Sequence, residues 1–233
     1  MEKTKTGIKG FDELVQGGFP KGKSILLSGT PGTGKTIFAM QFLYNGAMTF
    51  KEKGVYVTFE EKINDLKNQA KQFGWDFSTL DKENKVRVIN INPSELNYQT
   101  LAGVIKLVQD TDAKRLVIDS LSTLSVNYPS ISQNTTAINE CQIKKFIYSF
   151  INELRALKNT TTLLISQNFS ENALSGDKVS EFVCDGVVHL TYESMGGEFS
   201  RSIMVRKMRQ VKNDEDIHPV EISSKGMIVH DIK

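Results

Sequence analysis

One eight-residue stretch constrains the fold of this chain more than any other. Residues 29–36 read Gly-Thr-Pro-Gly-Thr-Gly-Lys-Thr, which is the phosphate-binding pattern G-x-x-x-x-G-K-T. A short apolar run that ends at Ser28 precedes the stretch, and apolar residues at helical spacing follow it from Ile37 to Met48. This order predicts a buried strand, a glycine-rich loop and a helix that begins where the loop ends.

Each part of this loop suits the binding of a phosphate chain. The glycines let the backbone curve and point N–H groups inward, and the helix amino terminus adds a partial positive charge. Lys35 is expected to neutralise the β- and γ-phosphates, and Thr36 Oγ1 is expected to bind Mg²⁺. The sequence therefore predicts a site for ATP and Mg²⁺ that consists of Gly29, Thr30, Pro31, Gly32, Thr33, Gly34, Lys35 and Thr36.

The rest of the chain predicts an α/β fold with a mainly parallel, twisted sheet flanked by helices. Strands are predicted near 25–28, 54–59, 86–91, 115–120 and 161–165, and helices near 35–50, 63–73, 98–110 and 137–157. Strands that alternate with helices imply right-handed crossovers between parallel strands. Antiparallel hairpins are predicted after residue 186. No repeat or linker divides the chain, so one domain is expected over residues 1–233.

Composition excludes several classes of protein. The chain has 39% hydrophobic and 24% charged residues, which is ordinary for a soluble domain, and its net charge of +2 does not by itself indicate nucleic acid. The amino terminus lacks the apolar core of a signal peptide, and no run is long enough to span a membrane. Cys141 and Cys184 are far apart in apolar contexts and suggest reduced, buried thiols in a cytoplasmic protein, with a disulfide left open.

Polar residues follow several predicted strands at the edge where the phosphate loop begins. Glu60 and Glu61, Asp119 and Gln167 each come after an apolar run, and the carboxyl ends of parallel strands share one edge. Asp119 is expected to hold Mg²⁺ directly or through water, and the alternative is a helix cap or turn. Gln167 either senses the γ-phosphate or is a buried amide satisfied by the backbone.

The paired glutamates allow two interpretations. A carboxylate at this position can orient or deprotonate the water that attacks the γ-phosphate. Because neighbouring side chains of a strand point to opposite sides, only one of Glu60 and Glu61 is expected to face the phosphate. The alternative is an acidic residue in the first turn of the helix that begins near Ile63, where the helix dipole stabilises it.

Three of the six arginines, Arg201, Arg206 and Arg209, lie within nine residues. Strand alternation puts Lys207 and Arg209 on one face and Arg206 on the other. This segment is either a solvated basic strand or a source of positive charge for a phosphate across a subunit boundary.

The order of these motifs resembles that of the KaiC-like group of the RecA/RadA family of ATPases. The lead-in at 6–22, the loop at 29–36, Thr58-Phe59-Glu60-Glu61, Leu116-Val117-Ile118-Asp119-Ser120 and the strands at 184–190 and 201–209 carry the resemblance. The resemblance implies that Glu60 and Glu61 are catalytic and that Asp119 belongs to the Walker B strand. It also implies that Lys207 and Arg209 reach the nucleotide of a neighbouring subunit, and hence a homo-oligomeric ring or filament.

The sequence also departs from the family's patterns. Its length matches about one KaiC domain, which argues against a double-domain clock protein. Glu181 and Phe182 stand where the phosphorylating domain of the family has a Ser-Thr pair, so autophosphorylation is not expected there. Gln210 replaces the usual glycine after Lys-x-Arg. The absence of a RadA-type amino-terminal DNA-binding domain argues against strand exchange.

These observations favour a Mg²⁺-dependent ATPase that hydrolyses ATP at subunit interfaces. The first alternative is a slowly hydrolysing module in which the nucleotide controls assembly and the choice of an unidentified protein partner. DNA-stimulated, RadA-like activity ranks third. The polar segments 125–136 and 169–180, predicted as loops where family members contact DNA, contain one basic residue, Lys178, and no aromatic residue besides Tyr128 and Phe169. Protein kinase activity ranks fourth, and no membrane partner is expected.

Overall fold

A nine-stranded sheet organises the fold. The structure is a computed structural model, and it describes residues 1–127, 140–168, 173–193 and 200–232. The strands are β1 (Lys3–Thr4), β2 (Phe19–Pro20), β3 (Ser24–Gly29), β4 (Gly54–Thr58), β5 (Val86–Asn90), β6 (Arg115–Asp119), β7 (Thr161–Gln167), β8 (Gly186–Tyr192), β9 (Arg201–Met208), β10 (His218–Ser223) and β11 (Gly226–Val229).

Helices cover both faces of this sheet. They are α1 (Phe11–Leu14), α2 (Lys35–Met48), α3 (Ile63–Lys71), α4 (Phe77–Lys82), α5 (Tyr98–Asp110), α6 (Leu121–Val126), α7 (Glu140–Arg155) and α8 (Ser180–Val183), with a 3₁₀ turn at Pro93–Glu95. The large sheet has the strand order β11-β10-β9-β8-β3-β7-β6-β4-β5, and β1 and β2 form a separate antiparallel pair.

Parallel pairing brings the functional edge together. Strands β8, β3, β7, β6, β4 and β5 pair in parallel, and β9, β10 and β11 extend the sheet in antiparallel fashion. In β3, alternation places Ile25 and Leu27 in one hydrophobic core and Leu26 in the core on the other face. The predicted fold class, a mainly parallel sheet with antiparallel strands at its carboxyl-terminal end, is confirmed.

Most predicted elements lie where the sequence indicates, and short helices such as α4 and α6 are missed. Helix α4 begins at a cap in which Asp76 accepts a hydrogen bond from Thr79 N at 3.1 Å, and α6 begins at a similar Ser120 cap. Both caps are visible in the sequence as signals for a helix start. Helix α6 therefore occupies the beginning of the predicted loop 125–136, whose residues from 128 onward lie outside the described part of the chain.

The loop before β3 lies opposite the phosphate loop, because the Gly22 amide donates to Thr161 Oγ1 at 3.1 Å at the amino end of this strand. Cys184 is fully buried as expected, but Cys141 is exposed on α7, and no disulfide joins them. None of the helices in the described part of the chain has the length and apolarity needed to cross a membrane.

Candidate nucleotide-binding site

A cavity of about 320 Å³ lies at the edge where the parallel strands end. Its walls come from the phosphate loop and from the ends of β4, β6 and β7. Residues of α3, β9 and β10 that were not predicted at the site complete the walls: Gln69, Arg201 and Ile222. The polar and charged residues that line it include Lys35, Thr36, Glu60, Glu61, Asp119, Gln167 and Arg201. The side chains predicted to converge from separate strands therefore share one cavity, and the predicted pair Lys207 and Arg209 does not line it.

The phosphate loop joins β3 to α2, as its sequence context predicts. A Cβ atom at Gly29 would collide with the carbonyl oxygen of Leu190 on β8, so the close approach of these strands requires glycine. Gly32 has a φ of 82°, and a Cβ atom there would find no neighbour within 4 Å. The loop is therefore anchored at its base and faces open space at its tip, where a phosphate chain can be bound.

Lys35 lies inside the loop that precedes it. Its Nζ atom donates to the carbonyl oxygens of Gly29 at 2.9 Å and Thr30 at 2.7 Å. Burial lowers the pKa of Lys35 to about 8, although the nearby carboxylates of Asp119 and Glu60 act in the opposite direction. Burial removes water that would otherwise stabilise the charged ammonium group of Lys35. Phosphate oxygens in the cavity would replace that hydration with charge-assisted hydrogen bonds.

Asp119 and Thr36 form an oxygen-rich group at the end of β6. The Thr36 hydroxyl donates to Asp119 Oδ2 at 3.4 Å, and the Tyr56 hydroxyl donates to the same oxygen at 2.6 Å. Burial raises the pKa of Asp119 to about 6, the Tyr56 hydrogen bond opposes this rise, and nearby glutamates add to it. Tyr56 was not expected at this site, since its only sequence signal is a phenol within the buried strand β4.

These oxygen ligands fit Mg²⁺, which prefers oxygen and keeps several water molecules. Within the described residues, no group of three or more His, Cys, Asp or Glu side chains could hold a metal ion by itself. A magnesium ion bound mainly by phosphate oxygens and water, with Thr36 and Asp119 beside it, needs no such group.

Glu60 is held by three donors from other elements. Oε1 accepts from Ser120 Oγ at 2.8 Å and from the Thr123 hydroxyl, and Oε2 accepts from Gln167 Nε2 at 3.0 Å. This network connects the ends of β4 and β7 with the start of α6. The Gln167 amide thus bonds a carboxylate at the cavity, and not the backbone as the alternative interpretation expected.

Glu61 lies beside Glu60 in the cavity but has different surroundings. Among the described residues no hydrogen bond to its carboxylate is observed, and burial, followed by repulsion from Glu60 and Asp65, raises its pKa. Both glutamates line the cavity, and the expectation that only one of them faces the γ-phosphate stays a prediction. Strand β4 ends at Thr58, whose hydroxyl oxygen accepts from the backbone N–H groups of both glutamates, so strand alternation no longer applies.

Lys207 and Arg209 lie on another face of the same chain. Lys207 Nζ donates to the carbonyl oxygens of Glu181 at 2.9 Å and Cys184 at 2.7 Å, at the carboxyl end of α8. Arg209 Nη2 donates to the Phe182 carbonyl at 3.0 Å. Burial and then the charge of Arg209 lower the pKa of Lys207. Neither cation lines the cavity of its own chain.

Arg201 separates from the basic cluster that the sequence suggested. Its Nε and Nη2 atoms both lie 3.2 Å from the Gly32 carbonyl oxygen, and its guanidinium stacks over the Tyr192 ring at 4.6 Å. Arg201 begins β9, and Arg209 follows the end of that strand, so about 26 Å of extended chain separates them. Strand length is the sequence signal that separates Arg201 from Arg209, whereas its place beside Gly32 depends on the order of the strands.

Known proteins resemble this chain in both fold and sequence. A family model described as "ATPase: KaiC" matches residues 4–233. A UPF0273 protein of Thermotoga maritima is 33% identical over 99% of this chain and 96% of its own length. The circadian clock oscillator protein KaiC of Synechococcus elongatus is 31% identical over 97% of this chain, which spans 44% of that protein.

A solved structure agrees with these sequence matches. The crystal structure of a KaiC-like protein from the archaeon Pyrococcus horikoshii OT3 has a TM-score of 0.85 and 35% identity, with 99% of each chain covered. The likeness extends over the whole sheet and therefore includes the strand ends that form the cavity. Because the family model covers residues 4–233 and a solved KaiC-like structure agrees over 99% of the chain, the chain belongs to the KaiC family of ATPases.

Proposed function

We propose that this protein binds ATP with Mg²⁺ in the cavity at the strand ends and hydrolyses it to ADP and phosphate in a homo-oligomer. One observation carries the proposal: a single cavity contains the phosphate loop, the buried Lys35 ammonium, the Thr36–Asp119 oxygen pair and two glutamates. Loop N–H groups and Lys35 would bind the phosphates, and Arg201 would add positive charge from the same subunit.

The two glutamates would have different roles in the activation of water. Both oxygens of Glu60 already accept hydrogen bonds, so Glu60 would position Gln167 and the strand ends around the γ-phosphate. The Glu61 carboxylate would orient the attacking water and accept its proton, because the raised pKa makes Glu61 a stronger base. Bound Mg²⁺, beside Thr36 and Asp119, would supply charge neutralisation for the phosphates.

The remaining positive charge would come from a neighbouring copy. Lys207 and Arg209 lie outside their own cavity, beside a groove of about 600 Å³ where the Phe182 side chain is 66% exposed. An exposed aromatic residue beside cations is common at protein interfaces. In a ring or filament this face would meet the nucleotide of the next subunit, where the two cations would stabilise the charge of the transferred phosphoryl group.

Changing Lys35 to alanine tests the proposal. The variant is expected to lose nucleotide binding or at least a hundredfold in turnover, measured by calorimetry and phosphate release, because a central phosphate ligand is removed. Lys53→Ala changes an exposed lysine outside the cavity and is the matched control. Unchanged binding and turnover in Lys35→Ala would rule out the proposed site.

A slowly hydrolysing module that uses ATP to control assembly is the second candidate. One observation favours it: within the chain, Lys207 and Arg209 are bonded to α8, so both cations must leave these partners before they contact a neighbour's phosphates. Turnover measured beside oligomer size, with and without ATP, distinguishes the two candidates. DNA-stimulated activity remains a weaker proposal, because the polar segments 125–136 and 169–180 contain one basic residue, Lys178, and no aromatic residue besides Tyr128 and Phe169.

A further inference from the structure

The hydroxyl group of Tyr56 is a buried polar group that the proposed chemistry does not use. Tyr56 lies on β4 with 1% of its surface exposed, and its hydroxyl donates to Asp119 Oδ2 at 2.6 Å. A phenol carries a single proton, so this hydrogen bond commits that proton to Asp119. The ring packs in the hydrophobic core beside the apolar side chains of Met40, Leu66 and Phe77. This packing fixes the ring and hence the position of the hydroxyl.

The register of the sheet explains how Tyr56 reaches Asp119. Strands β4 and β6 pair in parallel, with Thr58 opposite Asp119 and Tyr56 opposite Val117. Because side chains alternate along a strand, Tyr56, Thr58 and Asp119 point to the same face of the sheet. Tyr56 lies two residues, about 6.6 Å of strand, before the level of Asp119. The phenol hydroxyl extends along the strand to the carboxylate, whereas a phenylalanine ring would have no atom to donate there.

Asp119 is bonded through one of its two carboxylate oxygens. Oδ2 accepts from Tyr56 at 2.6 Å and from the Thr36 hydroxyl at 3.4 Å. Within the described part of the chain, no donor bonds Oδ1, and Asp119 lines the nucleotide cavity. A carboxylate fixed at one oxygen keeps a single rotamer, so its other oxygen keeps one direction. This is the arrangement in which a neighbouring group orients a metal ligand.

We propose that Tyr56 is a positioning residue for Mg²⁺: its hydroxyl fixes the Asp119 carboxylate, and Oδ1 stays available to Mg²⁺ or to the water molecules around it. Mg²⁺ requires near-ideal octahedral geometry, so its affinity depends on how precisely its oxygen ligands are held. The inference rests on the proposed function, because it concerns the same site. The alternative is a structural role, in which the hydroxyl satisfies a buried carboxylate and Mg²⁺ binding does not depend on it.

The variant Tyr56→Phe tests this role through Mg²⁺-dependent binding and not through turnover. A non-hydrolysable ATP analogue is titrated into the nucleotide-free protein by calorimetry, once with Mg²⁺ and once with a chelator. The wild-type protein is expected to bind the analogue about tenfold or more tightly with Mg²⁺ than without it. In Tyr56→Phe this gain is expected to fall about tenfold, because a partner that orients a metal ligand contributes roughly 10–100-fold to metal affinity. Binding without Mg²⁺ should stay within about twofold of the wild type, since the phosphate loop is unchanged.

Tyr44→Phe is the matched control. It removes the same hydroxyl from a tyrosine of α2 whose ring stacks against Trp75, with the ring centres 5.7 Å apart, and which does not line the cavity. The gain from Mg²⁺ in this variant is expected to equal that of the wild type. Binding of the analogue without Mg²⁺ also reports that each variant is folded, because it needs the same phosphate loop.

The outcomes separate this inference from the function on which it rests. A Tyr56→Phe protein that keeps the full gain from Mg²⁺ would overturn the positioning role and leave the nucleotide site intact. Binding that weakens by the same factor with and without Mg²⁺ would also overturn it, because a structural group has that effect. A wild-type protein that binds equally under both conditions would overturn the role of Tyr56 alone.

A wild-type protein that binds the analogue under neither condition would overturn the proposed function, and the role of Tyr56 with it. A gain from Mg²⁺ that is lost in Tyr56→Phe and kept in Tyr44→Phe would support Tyr56 as the residue that positions Asp119.

Discussion

At the scale of single residues, two adjacent glutamates have different chemical surroundings. Glu60 is bonded by Ser120, Thr123 and Gln167, whereas Glu61 lies in the cavity with a raised pKa. Both positions are acidic in the sequence, and only their hydrogen bonds distinguish them. The raised pKa follows from burial and from like charge nearby, and this arrangement is typical of a group that accepts a proton.

Replacing each glutamate separately tests this division of roles. Glu61→Gln is expected to lower kcat by about 10²–10⁴ and to leave ATP affinity within about threefold, because it removes the base but keeps the shape. Glu60→Gln is expected to cost less, since its amide can keep part of the network. Phosphate release under single-turnover conditions measures both. A larger loss in Glu60→Gln, with ATP still bound, would assign the base to Glu60.

Asp119 is a buried carboxyl group whose ionisation is expected to reduce stability. Burial raises its pKa from 3.8 to about 6, so the folded protein binds this proton more tightly than the unfolded chain. The stabilising contribution is therefore present below pH 3.8 and is lost as the pH rises through about 6. Asp119→Asn removes this titration while its side-chain oxygen can still accept from the Tyr56 hydroxyl.

The Asp119→Asn protein is thus expected to be more stable than the wild type by about 1–3 kcal/mol at pH 7 without nucleotide or Mg²⁺. The difference should shrink toward pH 4, and turnover with Mg²⁺ should be lost. Urea unfolding across pH 4–8 measures the stability, with the exposed Asp112→Asn as control. A variant less stable than the wild type at pH 7 would contradict the sign of this effect.

At the scale of elements, one buried arginine joins three parts of the chain. Arg115 at the start of β6 is fully buried and donates to the Phe42 carbonyl at 2.6 Å and to the Lys5 carbonyl at 2.7 Å. It also forms an ion pair with Glu52 at 2.7 Å, and its guanidinium lies 4.5 Å from the centre of the Phe42 ring. The amino-terminal segment, α2 and β6 are therefore connected through one side chain.

Arg115→Ala is expected to lower the free energy of unfolding by about 3–5 kcal/mol, because it leaves buried carbonyl groups and Glu52 without their partner. Arg87→Ala, on the edge strand β5, removes an arginine whose side chain is 42% exposed and should cost less than about 1 kcal/mol. Urea denaturation followed by Trp75 fluorescence measures both. Similar costs for the two variants would contradict the role of Arg115 as a structural connection.

At the scale of the whole molecule, the cavity is incomplete in one chain if Lys207 and Arg209 act on a nucleotide. Both cations lie at the carboxyl end of α8, away from the cavity of their own chain. Assembly would bring this face to the next subunit's site, where phosphate oxygens would replace the carbonyl partners of both cations and the 3.5 Å contact of Arg209 with the Asp185 carboxylate. Because a triphosphate carries more negative charge than these partners, bound ATP would favour the assembled state.

Mixing two inactive variants tests this arrangement. Arg209→Ala keeps its own glutamates, and a Glu60→Gln/Glu61→Gln protein keeps Arg209, so mixed oligomers contain some complete sites. ATPase activity is expected to rise to about a tenth or more of the wild-type value near equal proportions. Arg206→Ala, at the exposed neighbouring position, is the control and should remain active alone. No recovery at any ratio, with mixed oligomers present by size analysis, would exclude action between subunits.

The sequence by itself determined the phosphate loop, the order of strands and helices, and the polar residues at the strand ends. These depend on local spacing: glycines and a lysine in one loop, apolar periods of two or 3.6 residues, and strands that end at Asp119 and Gln167. Short helices such as α4 and α6 were missed, because a single cap residue carries little information without the packing around it.

Only the tertiary structure decided which of these residues act together. In the folded chain Glu60 and Gln167, which are 107 positions apart in sequence, share a hydrogen bond, and Arg201 lies at the phosphate loop. The Gln69 Oε1 atom has no donor among the described residues. The physical reason is that hydrogen bonding and desolvation depend on distances between elements, which sheet order and helix packing set. Local sequence patterns specify the elements, whereas the charge and reactivity of a side chain depend on neighbours that are remote in the chain.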